Sequence, residues 1–376
     1  MEIAIAGAGI AGLTAAMALA SRGFSATIYE RADKLTDIGA GIHLAPNAMT
    51  MFQRLGLADV LAADTVEPRA LVIREGPNGR VLTSVPLRDE SCRRYGAPYC
   101  VIHRADLQRV LSDAANADPD ITLKLGAEIT EVRQDGSRVT FALGGRRCYA
   151  DLLIAADGIH SAIRIGALAL PGPGQPIRHA WRKAIAADDL PTGIERDATG
   201  LWLASGYHLV HYPVRAGRQI NLVLVAATDR ASPGELLGKL AAPASGLADV
   251  KINWIGWPLS AIDPAGRWAR GRIALIGDAA HAMLPTVAQG GAQAIEDAWV
   301  LADCLAATPD QPATALQRYE RRRKTRVVRV FNEAQRNATI YGLGGLAAVA
   351  RNAAIALLPG PTHLARLDWL YRFPEG

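Results

Sequence analysis

The sequence predicts an α/β fold in which a parallel-sheet domain is split by an inserted, mostly antiparallel sheet and followed by a C-terminal helical segment. Three observations predict it. Apolar runs at residues 2–6, 25–29, 151–155 and 273–276 have the length of buried parallel strands and are too short for helices. Turns rich in glycine, or pairing glycine with aspartate, follow three of these runs: Gly7-Ala-Gly9-Ile-Ala11-Gly12, Ala156-Asp157-Gly158 and Gly277-Asp278. Between Trp181 and Ile255 the pattern changes to a succession of strand-like segments.

The first element is Glu2-Ile-Ala-Ile-Ala6, followed at once by the glycines. Leu13 to Ala20 has helix-forming composition, and Gly23 ends it. The next strand, Ser25 to Tyr29, closes on Glu30, eighteen residues after Gly12. Strand, glycine turn, helix, strand and acid together form a Rossmann-like dinucleotide fingerprint. Gly7 allows the tight turn, Gly9 lets backbone approach a pyrophosphate, and Gly12 lets helix and strand pack closely. The helix N-terminus offers N–H groups and a positive dipole end to the phosphates. Glu30 would accept hydrogen bonds from a ribose diol and repel a 2′-phosphate, which fits FAD or NAD and disfavours NADP at this site.

The remaining elements follow in order. Gly39-Ala-Gly41-Ile-His43-Leu-Ala-Pro46-Asn47-Ala48 reads as a glycine-rich loop entering a helix over 48–55. Residues 69–87 alternate as two strands around a turn at 76–79. A helix is expected over 104–115, then strands near 122–125, 129–133 and 139–143. A helical insert around 234–240 interrupts the second sheet, and a long helix starts near Gly290 and passes Cys304. The nucleotide-binding domain is thus expected to comprise 1–68, 101–175 and 265–340. The inserted β domain comprises 69–100 and 176–264, and the C-terminal helical tail comprises 341–376. Trp254 and Trp257 are expected in the core of the inserted domain; their spacing does not match the tryptophan signature of flavin-dependent halogenases.

Composition narrows the function classes. Of 376 residues, 50% are apolar and 20% charged, as in a soluble enzyme of two domains. The net charge of +5 favours anionic ligands, while no arginine-aromatic stripe points to nucleic acid. The run Arg321-Arg-Arg-Lys324 is expected on a solvated helix face. Cys92, Cys100, Cys148 and Cys304 are scattered, which argues for a reducing, cytoplasmic compartment and against a metal site or a redox disulfide. No membrane association is expected: the best apolar stretch, 346–358, is broken by Arg351 and Asn352 and stopped by Pro359. The N-terminal apolar run lacks the basic flank of an export signal.

With the His43 loop, the three turn motifs resemble those of the single-component FAD-dependent aromatic hydroxylases. Stretches such as His103-Arg104-Ala-Asp-Leu107, His208-Leu-Val-His211-Tyr212-Pro213 and Ala288-Gln-Gly290-Gly291 are most similar to the salicylate, 3-hydroxybenzoate and 6-hydroxynicotinate hydroxylases. The resemblance implies FAD, held by Gly7, Gly9, Ala11, Gly12, Glu30, Arg31, His43, Arg104, Leu125, Asp157, Asp278, Gly290 and Gly291. Asp278 would take the ribityl chain, and the amides at Gly290 and Gly291 would face the flavin pyrimidine. It also implies NADH or NADPH as co-substrate, O2, and a small phenolic or heteroaromatic acid hydroxylated through a C4a-hydroperoxyflavin, by a monomer or homodimer. Pro285 and Thr286 occupy the loop where relatives contact substrate. A flavin oxidase or dehydrogenase without hydroperoxide chemistry is the alternative, and an NAD-binding dehydrogenase is more distant.

The chemistry requires an ionised ring hydroxyl. A free phenol is only about one-thousandth ionised at pH 7, a deficit of about 4 kcal/mol, and a positioned base recovers much of it. The period of two along residues 207–214 puts His208, Val210 and Tyr212 on one face. His208 and Tyr212, with His43, are therefore the candidate catalytic residues. His211 is grouped with the substrate-binding residues by resemblance, but its strand face favours a structural role.

Overall fold

The apolar runs form a parallel sheet because each is covered on both sides. A computed structural model describes residues 1–35 and 40–374. All four residues of strand Ile3–Ala6 and all four of Leu152–Ala155 are buried, as expected of strands with helices on both faces. The six-stranded sheet runs Ala269–Arg270, Ile273–Leu275, Leu152–Ala155, Ile3–Ala6, Ala26–Tyr29, Ile121–Lys124. Every pairing is parallel except the first. Helix Ile10–Ala20 is alanine-rich and buried around most of its circumference, packed between this sheet and helix Gly290–Ala307. Leu13 and Leu19 are fully buried there, and truncating either to alanine should cost about 2–5 kcal/mol.

The second sheet has seven strands, in the order Ile255–Leu259, Arg178–Ala186, Gln219–Ala226, Tyr207–Val214, Thr199–Ala204, Ala70–Glu75, Val81–Pro86. Only the pairing of Thr199–Ala204 with Ala70–Glu75 is parallel. One face of this sheet covers a core that includes Trp202, Leu209, Leu222 and Leu224. The other turns toward the long helix Pro312–Tyr341 and the first domain, through Tyr212, Val214 and Val330. Helices Gly345–Leu357, Gly360–Ala365 and Asp368–Tyr371 complete the C-terminus. Among the described residues no single helix is long and apolar enough to cross a membrane.

Four expectations need correction. Residues 41–44 of the glycine-rich loop are a strand, Gly41–Leu44, paired antiparallel with Cys100–His103; the partner is remote in sequence, so no local pattern reveals the pair. Gly39 of that loop lies outside the described residues. Strand Arg146–Ala150 is absent from the expected elements, because it is a polar edge strand with mostly exposed side chains. Trp257 is not core: its strand lies at the sheet edge, and it is 37% exposed. Arg323 is not solvated but fully buried between two carboxylates, Glu296 and Asp297.

Candidate functional site

The glycine turn is built for close approach. Gly7 has φ +99°, and a Cβ on Gly12 would lie 2.0 Å from the Gly7 carbonyl oxygen. Gly9 faces open space, with nothing within 4 Å of where a Cβ would stand, just before a helix N-terminus that no side chain caps. Glu30 sits beside this opening. Its carboxylate accepts hydrogen bonds from the backbone N–H of Ala8 at 2.8 Å and of Ala32 at 3.0 Å, which fixes the acid at the strand end. Arg31 and Leu125 are exposed at neighbouring strand ends.

The two later turns reach the same edge of the sheet. Asp157 follows strand Leu152–Ala155, and burial pushes its carboxyl up although Ser161 and backbone amides pull the other way. Its Oδ1 is buried with no partner. Gly277 has φ +58°, and a Cβ there would meet Ala11 and Ala294, each at 3.1 Å. It delivers Asp278, exposed at the start of a short helix. Gly290 and Gly291 open helix Gly290–Ala307, whose N-terminus again carries no side-chain cap.

Buried polar contacts tie these segments together. Asp297 accepts hydrogen bonds from Gly277 N–H at 3.0 Å, His281 Nε2 at 2.5 Å and Arg323 Nε at 2.8 Å. Glu296 accepts from Asn47 Nδ2 at 2.6 Å and from Arg326 Nε at 2.8 Å, and also pairs with Arg323. Asn47 Nδ2 donates to Gln289 Oε1 at 3.0 Å, as does Gln293 Nε2. Burial alone would raise both carboxyls, but the surrounding cations hold Glu296 and Asp297 below their ordinary values. The His43 segment, the Gly-Asp turn and the Gly290 helix start are thereby locked to one another. The sequence motifs indicated the turns but not this scaffold, because its members are spread from residue 47 to residue 326.

The large sheet meets this edge through Tyr212. Its ring lies 4.2 Å from that of His43, centroid to centroid, and Gly41 packs so close that a Cβ would be 2.3 Å from Tyr212 Cε2. Gly41 N–H donates to Asn221 Oδ1 at 2.9 Å. His43 Nδ1 and the Tyr99 hydroxyl are 2.9 Å apart. Burial lowers His43 to about 4, so its imidazole is neutral at pH 7. Burial raises the Tyr212 phenol, with Arg182 and Asn221 opposing. Tyr99, Arg182 and Asn221 had no signal in the sequence: each lies in a different strand or loop and gathers here only through sheet register.

His208 shares the Tyr212 face, as the period of two requires, but stands about 13 Å further along the strand. There its ring lies 5.3 Å from that of Tyr341 and borders a cleft with Arg178, Ala338 and Thr339. Burial, then repulsion from Arg178, lowers it to about 4. His211 does not line this face. It is fully buried on the opposite side, over Gly200 and 3.9 Å from Glu195, because adjacent side chains alternate. Thr286 donates its hydroxyl to Ala334 O at 2.6 Å, and Pro285 begins the short 3₁₀ turn before it. That engagement ties Thr286 to the long helix.

The open space at Gly9, the orphaned Asp157 oxygen and the uncapped helix starts fit an FAD molecule laid along this edge. Residues 1–334 match the protein family described as FAD binding domain. The chain is 36% identical over 380 residues to 3-amino-4-hydroxybenzoate 2-monooxygenase of Streptomyces cremeus, covering 99% of this chain and 95% of that protein. It is 34% identical over 383 residues to 3-hydroxybenzoate 6-hydroxylase 1 of Aquipseudomonas alcaligenes, covering 98% and 97%. The structure of Klebsiella pneumoniae HpxO complexed with FAD and uric acid superposes with a TM-score of 0.88 at 27% identity, covering 100% of this chain and 98% of that one. With a nucleotide edge of the required shape and this similarity along nearly its whole length, the chain belongs to the FAD binding domain family and is a flavin-dependent aromatic monooxygenase.

Proposed function

We propose that this protein hydroxylates a small phenolic or heteroaromatic acid, using NADH or NADPH and O2, as a cytoplasmic monomer or homodimer. The relatives named above act on hydroxylated benzoates. The observation that carries the reading is the contact of Tyr212 with His43, where the antiparallel sheet meets the nucleotide-binding edge. In this reading residues 1–68, 101–175 and 265–340 bind the cofactor, and 69–100 with 176–264 shape the substrate pocket.

FAD, when bound, supplies the electrons and activates the oxygen. Gly7, Gly9, Gly12 and Glu30 would hold its ADP half, Asp278 its ribityl chain, and the Gly290 and Gly291 amides its flavin ring. A positive helix end there favours negative charge on the ring. Arg104, Asp157 and His43 border the same edge. The neutral imidazole of His208 accepts the proton of the substrate hydroxyl. Tyr212 stays a protonated phenol and orients the ring by hydrogen bonding.

The test is a screen of hydroxylated benzoates and pyridine carboxylates for stimulated NADH or NADPH oxidation, with the product identified by mass. Incorporation of one oxygen atom into one of these acids is expected. Oxygen consumption driven by a reduced organic substrate alone, with no nicotinamide required, would replace this reading with an oxidase.

A further inference from the structure

Resting on that reading, we infer that Arg182 is the anchor for the substrate carboxylate and sets the preference for aromatic acids over uncharged phenols. Arg182 lies in the middle of strand Arg178–Ala186, opposite Val223, which in turn faces Val210. Directly opposed side chains of antiparallel strands share a face. Arg182 therefore stands on the same face as His208, Val210 and Tyr212, in the row between the two candidate proton-handling residues. Ala184, one row away, is opposite Asn221 and then Tyr212, so the floor between the guanidinium and the phenol is made of small side chains, with the amide of Asn221 the polar group on it.

Its surroundings call for an anion. The Nε atom is buried and has no hydrogen-bond partner. The charged or polar groups that act on it are Tyr212, Arg104 and Asp278. Tyr212 is a neutral phenol and Arg104 a like charge. Asp278 is the one anion among them, and it stands on the nucleotide edge where the ribityl chain claims it. Arg182 is half-buried as a whole residue, burial weakens its charged form, and a largely desolvated cation without a counter-charge is costly. A planar carboxylate satisfies a guanidinium through two parallel hydrogen bonds. The FAD phosphates do not supply the anion, because their cradle at Gly9 belongs to the other sheet. The aromatic acid does: its carboxylate on Arg182 would turn its hydroxyl toward the His208 and Tyr212 row.

The test uses FAD-loaded protein and two matched pairs of ligands: 3-hydroxybenzoate with 3-hydroxybenzamide, and 6-hydroxynicotinate with 6-hydroxynicotinamide. Binding is read by equilibrium dialysis and by the perturbation of flavin absorbance. Wild type is expected to prefer the acid in at least one pair by ~10²-fold, the size of a buried charge pair. Arg182→Gln should reduce that preference to near unity with FAD content unchanged, and Arg182→Lys should retain part of it. Three results would overturn the inference: no preference in wild type, a preference that survives Arg182→Gln, or FAD loss in both variants. A wild-type acid preference abolished by Arg182→Gln, with no acid turned over, upholds the anchor while removing the proposed function.

Discussion

Burial decides what each polar side chain on the Tyr212 face can do. His43 and His208 are held near 4, so both are neutral acceptors at working pH. The Tyr212 phenol is raised by burial, so it donates or relays a proton but does not carry a resting negative charge. His211, one residue away, is equally neutral but faces the other core. His208→Ala and Tyr212→Phe are therefore expected to slow single-turnover formation of hydroxylated product by ~10²-fold with FAD still bound. His211→Ala should leave the chemical step intact and lower stability by about 2 kcal/mol through the cavity it opens. Full product formation in the first two variants, together with its loss in His211→Ala, would reverse the assignment of faces.

At the scale of elements, the buried carboxylates of helix Gly290–Ala307 hold the motif-bearing turns in place. Asp297→Ala would leave His281 without its carboxylate, leave Arg323 with Glu296 as its one remaining carboxylate, and remove the acceptor of the Gly277 N–H. A cost of about 3–5 kcal/mol is expected, read as a shift in the urea midpoint of apoprotein. FAD affinity should fall with it, since Asp278 follows that turn. The outer pair Arg22 and Asp303 is the control: partly solvated, at 13% and 33% exposure, it should cost under about 1 kcal/mol when Asp303 becomes alanine. Equal losses in the two variants would mean that the inner network is only surface electrostatics. This contrast also shows what was legible in the sequence. Gly7, Gly12, Glu30 and Gly277 could be read because strand-end turns impose local rules on spacing and residue type. The strand at 207–214 could be read from alternation. Arg323 could not, because a basic run on a polar helix has no local mark of the two carboxylates that bury it. Arg182, Asn221 and Tyr99 were equally silent, since only the register of distant strands brings them to Tyr212.

Across the whole molecule, three buried histidines lie in or against the large sheet: His43 on the small two-stranded sheet, His208 on the face turned toward the first domain, and His211 on the opposite face. Each has its folded value lowered to about 4, chiefly by burial. The unfolded chain, with values near 6.5, takes up protons first as the pH falls. The stability these neutral side chains contribute is therefore complete above about pH 6.5 and is lost progressively as the pH drops toward 4. In the limit each histidine accounts for about 3 kcal/mol, and over the steep part three together give a slope of up to about 4 kcal/mol per pH unit. Glu296 and Asp297, held below their ordinary values by Arg323 and neighbouring groups against the opposing effect of burial, extend the loss to still lower pH. Urea unfolding between pH 8 and pH 4 should give a plateau above pH 7 and a steep fall below 6.5. His211→Gln, which stays neutral and lies away from the proposed chemistry, should flatten that fall by about a third. A curve as steep in the variant as in wild type would show that His211 is protonated within the fold, and that the core of the large sheet admits charge.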